Sequence, residues 1–457
     1  MCAMMNERPR IIKRSSSQGD AIQGNFNFDK SWVRIPEKNP HIADYRERAW
    51  NAYNKSSIPQ TNEEAWRRTD LRELSKLASS LKIDKNDEHH GNIPDSYQSS
   101  VVGENAVNQI VISSGGVTKA LDPTLLESGL VFTDMLDAEQ KHPDLVEKIM
   151  GRLVSGDESK FASMSAAFAQ NGIFIYVPAG LTIEQPLHSL IYGIAENQAL
   201  FSHLMIYLET NAQLTYVHES ASKNGLAAKA LHTGIVEIIL QPGANLKFVE
   251  LQSWGDNVFN FTHEKVQVAE NATLEWIIGS VGSHLTKSFT DLVLNGNGAS
   301  GKVSGFYFTN DTQHLDHDTQ QVHLAPNTTS DLLFKGALLD KSRSVWQGMI
   351  YVAPGADKTD GYQTNRNLIL SKGARADSIP GLEILADDVR CSHGATIGKI
   401  DKDQIFYLTS RGIARPDAEQ LIVEGFFDPI MQRIPYVGVK ERFLHIIKEK
   451  MKTNWQK

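Results

Sequence analysis

The sequence predicts a mainly β protein, in which a β-solenoid core lies between helical segments at both ends. Three segments, Asn211-Ala212-Gln213-Leu214, Gly243-Ala244-Asn245-Leu246 and Asn271-Ala272-Thr273-Leu274, each place a tight turn before an apolar strand. Units that recur at about 30 residues are typical of solenoids. Helical periodicity is concentrated towards the two ends of the chain. A β-sandwich with similar turns is the alternative, and the repeats favour the solenoid.

Composition limits the classes of protein that fit. The chain has 457 residues, a length that suggests about three domains. Hydrophobic residues make up 41% and charged residues 22%, which is typical of a globular protein in water. The net charge of −8 argues against a nucleic-acid partner, and no apolar run is long enough to cross a membrane. Two cysteines exclude a disulfide framework and favour a reducing compartment.

The N-terminal part is predicted to contain a tail and a small helical domain. Residues 1–35 are polar and basic at the start, so we expect a disordered basic tail, with an organelle transit peptide as the alternative. We assign residues 36–100 to an N-terminal helical domain. Its first helix has apolar residues at helical spacing, namely Ile42, Tyr45, Ala49 and Tyr53. Its second helix has a leucine face, formed by Leu71, Leu74, Leu77 and Leu81. Residues 86–99 are predicted to be a linker.

The β core is predicted over residues 101–398, with a helical insertion at about 134–170. Within the insertion, Phe161, Met164 and Phe168 share a helix face. Further turns are predicted late in the core, at Gly355-Ala356, Gly373-Ala374 and Gly394-Ala395.

Helical patterns return in residues 399–457, which we assign to a C-terminal helical domain. Asp401 is the expected N-cap of its first helix and Gly412 the residue that follows its end. Pro416 is well placed at the start of the second helix, and Pro429 is expected to kink or end it. The apolar faces of these helices must pack on each other, on the β core or on a partner.

One glycine-rich segment imitates a nucleotide-binding loop. Gly296 to Lys302 matches G-x-G-x-x-G and nearly matches a P-loop, but Val303 follows the lysine where a P-loop needs Ser or Thr. A strand pattern follows it, and both motifs require a helix N-terminus. We therefore interpret this segment as a β-turn, and we predict that any ATPase activity belongs to a partner.

The densest group of metal-ligand residues is the segment QHLDHDTQQVH, with members His314, Asp316, His317, Asp318 and His323. On a strand, His314, Asp316 and Asp318 share one face, while His317 and His323 lie on the other. The favoured interpretation is a solvated β-face or turn. The alternative is the active site of a β-helix carbohydrate enzyme, such as a polysaccharide lyase or esterase, that uses His314, Asp316 and His317.

A second candidate site is Cys391-Ser392-His393. Residues i and i+2 of a strand point to the same side, so sulfur and imidazole are expected side by side. Two ligands are too few for a closed metal or cluster site, which usually has about four. From spacing alone a structural cysteine remains the commoner outcome. If the pair binds a metal, a partner chain must supply the remaining ligands.

Three segments resemble the SufB/SufD family of SUF iron–sulfur cluster assembly scaffolds. They are NEEAWRRTDL (Asn62–Leu71), KFASMSAAFAQNGIFIYVPAG (Lys160–Gly180) and LEILADDVRCSHGATIGKIDKDQIFYLTSRGI (Leu382–Ile413). The last segment resembles the SufD branch in particular, since SufB carries an EHEAT-like sequence in place of CSHGAT. The resemblance covers most of the chain. It implies a right-handed parallel β-helix core, and a non-enzymatic scaffold role in a cytoplasmic complex with a SufB paralogue and the SufC ABC-type ATPase.

The resemblance also assigns residues. It implies that His393, and with less support Cys391, lie at a cluster-assembly interface where a transient iron–sulfur cluster is shared with SufB. It implies that the C-terminal helices bind the ATPase, for which we select Phe406, Leu421, Ile422 and Phe426. A homodimer of the isolated chain and reduced FAD in the complex are further expectations. A SufB-type role remains the alternative within the family, which the CSHGAT string opposes.

Overall fold

The computed structural model describes residues 25–36, 39–83, 93–94, 97, 108–113, 115–434 and 436–455. The predicted linker and the first 24 residues lie mostly or wholly outside this set. Residues 25–36 are not a disordered tail, so the predicted boundary at residue 35 is wrong. Phe26, Phe28 and Val33 are buried in the same apolar cluster as the N-terminal helices. Burial of these apolar side chains against the N-terminal helices favours an ordered segment.

Helices and short strands make up the N-terminal part. Their bounds are α1 Pro40–Lys55, α2 Arg72–Leu77, β1 Lys82–Ile83, β2 Gln109–Ser113, β3 Gly116–Ala120, α3 Pro123–Glu127, β4 Val131–Asp134, α4 Met135–Lys141, α5 Pro143–Glu147 and α6 Lys160–Phe168. Asn39 caps α1, and the four predicted apolar residues of its inner face are buried. The predicted leucine helix is shorter than expected, because α2 ends at Leu77 and a 3-10 turn, Ala78–Ser80, follows.

The core is a parallel β-solenoid of about eight turns, as predicted. Each turn contributes one strand to each of two ten-stranded sheets. The strands that alternate between the sheets are β5 Asn171–Val177, β6 Leu187–Tyr192, β7 Gln198–Leu208, β8 Gln213–Ala221, β9 Ala230–Leu240, β10 Asn245–Ser253, β11 Val258–Val268, β12 Thr273–Ser280, β13 Leu285–Leu294, β14 Ser300–Thr309, β15 His314–His323, β16 Thr329–Leu338, β17 Arg343–Val352, β18 Asp360–Ile369, β19 Arg375–Ile384 and β20 Arg390–Lys399. From β5 onwards, odd-numbered strands form sheet A and even-numbered strands form sheet B, while β4 extends sheet A and β2 and β3 extend sheet B.

The repeats seen in the sequence are stacked in register. Leu214, Leu246 and Leu274 are direct partners on neighbouring strands of sheet B. The residues before them need a left-handed backbone, with φ of 60° at Asn211 and 53° at Asn271. Asparagine and glycine tolerate this conformation, which explains their recurrence at the turns. The prediction of a third late turn is wrong, since Gly394 lies inside β20.

Both faces of the middle strands are covered. One apolar cluster fills the space between the two sheets, called the lumen below. A second lies between the outer face of sheet A and the N-terminal helices. A third lies between sheet B and the C-terminal helices. Strands β7 and β9 are therefore buried at every residue, the pattern expected of a parallel strand with both faces covered.

Three helices follow the last strand, α7 Lys402–Ser410, α8 Arg415–Met431 and α9 Val437–Trp455. Asp401 caps α7 through the backbone N–H of Asp403, as predicted. Helix α8 continues past Pro429 to Met431, so this proline does not end the helix at once. None of the helices within the described ranges is long and apolar enough to cross a membrane.

Candidate functional site

Cys391 and His393 lie on β20, the last strand of sheet B. Their register partners on β18 are Gly361 and Gln363. Partners in a parallel sheet point to the same side, and the Gln363 amide donates a 2.9 Å hydrogen bond across the lumen to the carbonyl of Gly381. Both candidate residues therefore face the lumen side of the last turn. The prediction that they share one face is confirmed.

Each residue ends a column of stacked lumen side chains. The column of Cys391 contains Leu214, Leu246, Leu274, Gly301, Ser330 and Gly361, and that of His393 contains Tyr216, Phe248, Trp276, Val303, Leu332 and Gln363. The columns start with large apolar side chains and become small or polar towards the last turns. This change leaves space for polar groups at the end of the solenoid.

The Cys391 thiol is half-buried beside Gly361. A Cβ atom at Gly361 would lie 3.2 Å from Cys391 Sγ and 3.5 Å from His323 Nε2, so glycine lets these groups approach. Burial raises the pKa of the Cys391 thiol, and Asp360 adds to this, although a hydrogen bond from the Gly361 backbone opposes it. The resting group is thus a neutral thiol. It becomes a ligand only when a metal displaces its proton.

His393 differs from the other histidines near it. Its side chain is exposed, and no hydrogen bond or ion pair in the described part of the chain involves its imidazole. His323, two turns earlier, is buried, with Nδ1 bonded to Thr328 and Nε2 to Ser330. Burial lowers the pKa of His323 to about 4, so it stays neutral. Of the two imidazoles, His393 alone has nitrogens available to a metal or a partner.

The last turn exposes an apolar surface, called the end face below. Leu382 and Ile384 of β19 and Ile397 of β20 are 37%, 38% and 50% exposed, and Leu385 beside them is 50% exposed. The outer edges of β19 and β20 have no neighbouring strand in the described residues. Open strand edges with apolar side chains favour association with another chain. Cys391 and His393 lie within this surface.

The end face does not hold a complete metal site. No group of three or more His, Cys, Asp or Glu side chains in the described residues has the geometry to bind a metal ion. Cys391 and His393 supply two ligands, and cluster sites usually have about four. The arrangement can therefore serve as one half of a site that another chain completes.

The four residues selected for ATPase binding divide into two pairs. Phe406 of α7 and Leu421 of α8 are 72% and 48% exposed. Ile422 and Phe426 instead line a groove of about 710 Å³ between α7, α8 and the end of β20. Lys335 Nζ lies 4.8 Å from the centre of the Phe426 ring and fixes its position. The exposed pair offers contact area, and the other pair offers a cleft.

The histidine–aspartate segment is not a solvated face, and it does not bring His314, Asp316 and His317 to one side of the strand. Asp316 is fully buried beneath the N-terminal helices, bonded to Lys287 at 2.8 Å and to the Thr69 hydroxyl. His317 points to the opposite side, into the lumen, where its Nδ1 lies 2.8 Å from Ser288 Oγ. Strand alternation therefore separates the groups that a carbohydrate enzyme would need to bring together. The solvated-face prediction is wrong because the N-terminal domain covers this part of sheet A.

The glycine-rich segment is a turn, as predicted. Gly298 has a φ of 72°, and the chain continues directly into strand β14. No helix begins after the segment, so it lacks the N–H groups that would bind a phosphate.

Two family models match the chain. The model described as "SUF system FeS cluster assembly, SufBD core domain" matches residues 191–426, and the one described as "SufBD protein N-terminal region" matches residues 28–188. The core model alone covers more than half of the chain. The chain belongs to the SufBD family. The SufBD core match includes all the strands from β7 to β20, and so includes Cys391, His393 and the end face.

Curated SufBD relatives agree with this assignment. The iron–sulfur cluster assembly protein SufB of Bacillus subtilis (strain 168) is 30% identical over 346 residues, which are 75% of this chain and 73% of the relative. An iron–sulfur cluster assembly SufBD family protein of Staphylococcus aureus (strain USA300) matches with the same identity and coverage. The chain is thus a SufBD protein, and these relatives do not distinguish the SufD branch from the SufB branch.

The apolar residues of the end face were not identified by the sequence analysis. Leu382, Ile384 and Ile397 look like ordinary inward positions of strands, and only the absence of a following turn exposes them. Their exposure could have been predicted from their position, because their strands are the last two before the helical segment that starts at Asp401.

Proposed function

We propose that this chain is a SufD-type, non-catalytic scaffold subunit that helps assemble nascent iron–sulfur clusters at an interface with a SufB-type paralogue. The observation that carries the proposal is the half-site on the end face. Two metal-ligand side chains lie on an apolar, open-edged surface that another solenoid can cover. Iron and sulfide are cargo in this scheme, and the cluster is transient.

The two ligand side chains have different roles in the proposal. The exposed His393 imidazole binds iron directly, since neutral imidazole is a common iron and zinc ligand. Cys391 is held as a thiol by burial and binds only after iron or the arriving partner withdraws its proton. The partner supplies the remaining ligands, so a cluster forms only when both chains are present.

We further propose that the C-terminal helices bind an ABC-type ATPase of the SufC kind. Phe406 and Leu421 provide the exposed contact, while Ile422 and Phe426 line the cleft that receives an apolar side chain of the partner. Strand β20 ends at Lys399 and α7 begins at Lys402. A pull on α7 by the ATPase is therefore transmitted within three residues to the strand that holds His393.

The test is anaerobic cluster reconstitution with a SufB-type and a SufC-type partner, using His393→Ala. We expect cluster yield, measured by the visible absorption of the cluster, to fall at least several-fold while the complex still assembles. The matched control is His445→Ala, an exposed histidine on α9 outside the residues assigned here. Unchanged yield with His393→Ala would remove His393 from the mechanism. A loss of complex formation in both variants would point to misfolding.

A second candidate is the SufB-type role, which is favoured by the name of the 30% identical Bacillus subtilis relative. The two roles differ in the partner that completes the half-site. Co-expression with a SufB-type and, separately, a SufD-type protein distinguishes them. The SufD role predicts a stable pair with the SufB-type protein, and a stable pair with the SufD-type protein alone would favour the SufB role.

A further inference from the structure

A small polar cavity lies in the lumen, remote from the end face. Its volume is about 40 Å³, and it lies between the middle strands of the two sheets. Glu250 of β10 and Glu264 of β11 line it from opposite sheets, together with His218, His232 and His317. Two carboxyl groups inside a solenoid core are unusual, because burial of charge is costly without a partner.

The hydrogen bonds around the cavity are incomplete. Glu264 accepts bonds from the hydroxyls of Thr262 at 2.6 Å and Thr290 at 2.8 Å. In contrast, Oε2 of Glu250 and Nε2 of His317 are buried and have no hydrogen-bond partner in the described residues. His317 is only 2% exposed. Buried polar atoms are rarely left without a partner, so both atoms indicate an occupant of the cavity.

Charge around the cavity cannot neutralise two carboxylates. Burial raises the pKa of Glu250, and the nearby Glu264 adds to this, although the Trp276 indole opposes it. Burial also raises the pKa of Glu264, and Asp291 of β13 contributes in the same direction. The facing histidines offer no positive charge, because burial lowers the pKa of His218 to about 3 and those of His232 and His317 to about 4.

We propose that this cavity is a proton- and water-binding site, in which Glu250 stays a neutral carboxylic acid at neutral pH and hydrogen-bonds internal water shared with His317. A water needs about 10–15 Å³ of such space, so the cavity holds about three molecules. The Glu250 acid donates to one water, and another water donates to His317 Nε2. Glu264 lines the cavity from the opposite sheet and accepts hydrogen bonds from the hydroxyls of Thr262 and Thr290. The proposal does not depend on the role in cluster assembly.

A stored proton has a defined effect on folding. The folded chain keeps the Glu250 proton at pH values where the unfolded chain has released it, above about pH 5. The folded state then binds more protons than the unfolded state, so stability falls as pH rises through this window. One proton corresponds to a change in the unfolding constant of about tenfold per pH unit.

The experiment is infrared spectroscopy of the full-length protein at pH 7, with Glu250→Gln and the exposed-residue control Glu270→Gln. We expect a protonated carboxyl C=O band in the natural protein that disappears in Glu250→Gln and persists in Glu270→Gln. Absence of the band in the natural protein, or its persistence in Glu250→Gln, overturns the proton site. Urea unfolding at pH 5, 6 and 7 should show the tenfold-per-unit difference between the natural protein and Glu250→Gln, and equal slopes would contradict it.

The water is tested separately by magnetic relaxation dispersion, which detects long-lived internal water. Glu250→Leu fills part of the cavity and removes the polar group, so we expect fewer long-lived waters than in the natural protein. Equal numbers in a folded Glu250→Leu variant would contradict the proposal that Glu250 holds water in the cavity. If Glu250→Leu does not fold, the long-lived waters are counted in the isosteric Glu250→Gln variant instead. We expect the waters to remain in that variant, and their absence from both it and the natural protein would contradict a hydrated cavity.

Discussion

The column of lumen side chains that ends at His393 has opposite properties in the middle and at the end of the solenoid. In the middle turns it holds Tyr216, Phe248 and Trp276, all fully buried, with Phe248 stacked between its neighbours at ring distances of 5.6 and 5.7 Å. In the last turn the same position is His393, which is exposed. The backbone register is identical along the column. The difference shows that a position in this repeat becomes available for chemistry when no further turn covers it.

The largest expected contrast is between two isoleucines on the lumen side. Ile238 of β9 is fully buried in the middle, and Ile397 of β20 is half exposed at the end. Ile238→Ala should lower the free energy of unfolding by about 2–5 kcal/mol, because it leaves a cavity that the packed sheets cannot close. Ile397→Ala should cost less than about 1 kcal/mol. Urea unfolding measures both, and equal losses would mean that the last turn is packed like the middle.

Buried charge should give the next contrast. Asp316 pairs with Lys287 where both side chains are completely buried, while Asp377 pairs with Arg343 and Arg375 at the partly exposed last turn. Asp316→Ala removes the closer carboxylate from the buried Lys287, which keeps only Asp318 at 4.0 Å, and should cost about 3 kcal/mol, the lower end of the cost of breaking a buried pair. Asp377→Ala should cost about 1 kcal/mol or less. The comparison fails if the two variants unfold at the same urea concentration.

A smaller effect should appear as pH dependence. Burial lowers the pKa of His317 to about 4, so the folded state keeps it neutral while the unfolded chain binds a proton below about pH 6.5. The unfolded state then binds more protons, and stability is lost as pH falls from 6.5 towards 4. His317→Gln should reduce this slope by about 1.4 kcal/mol per pH unit. An unchanged slope in a folded His317→Gln variant would contradict this account of the middle turns.

The sequence was informative about the regular parts of the molecule. The turn residues Asn211, Gly243 and Asn271 predicted the solenoid because only a few residue types accept the backbone that the turns need. The alternation of β20 placed Cys391 and His393 on one face for the same reason. These are local constraints, and they can be read from residue type and spacing.

The sequence was less informative where distant segments meet. The environment of Asp316 depends on Thr69 and Lys287, which are far away in the chain, so a strand pattern alone could not show that it is buried. Phe26 and Phe28 look like parts of a polar tail until the N-terminal helices supply a surface for them. Likewise, Glu250 and Glu264 come from different sheets, and no local motif brings two carboxyl groups to one cavity.

The central claim is that the last turn is half of an interface, and hydrogen exchange tests it most directly. The rates of the β20 amides are measured in the isolated chain and in its complex with a SufB-type partner and the ATPase. We predict that Cys391 to Ile397 become strongly protected in the complex, while the buried strands β9 to β12 do not change. Unchanged exchange in β20, with new protection elsewhere on the β core, would contradict the assignment of the end face.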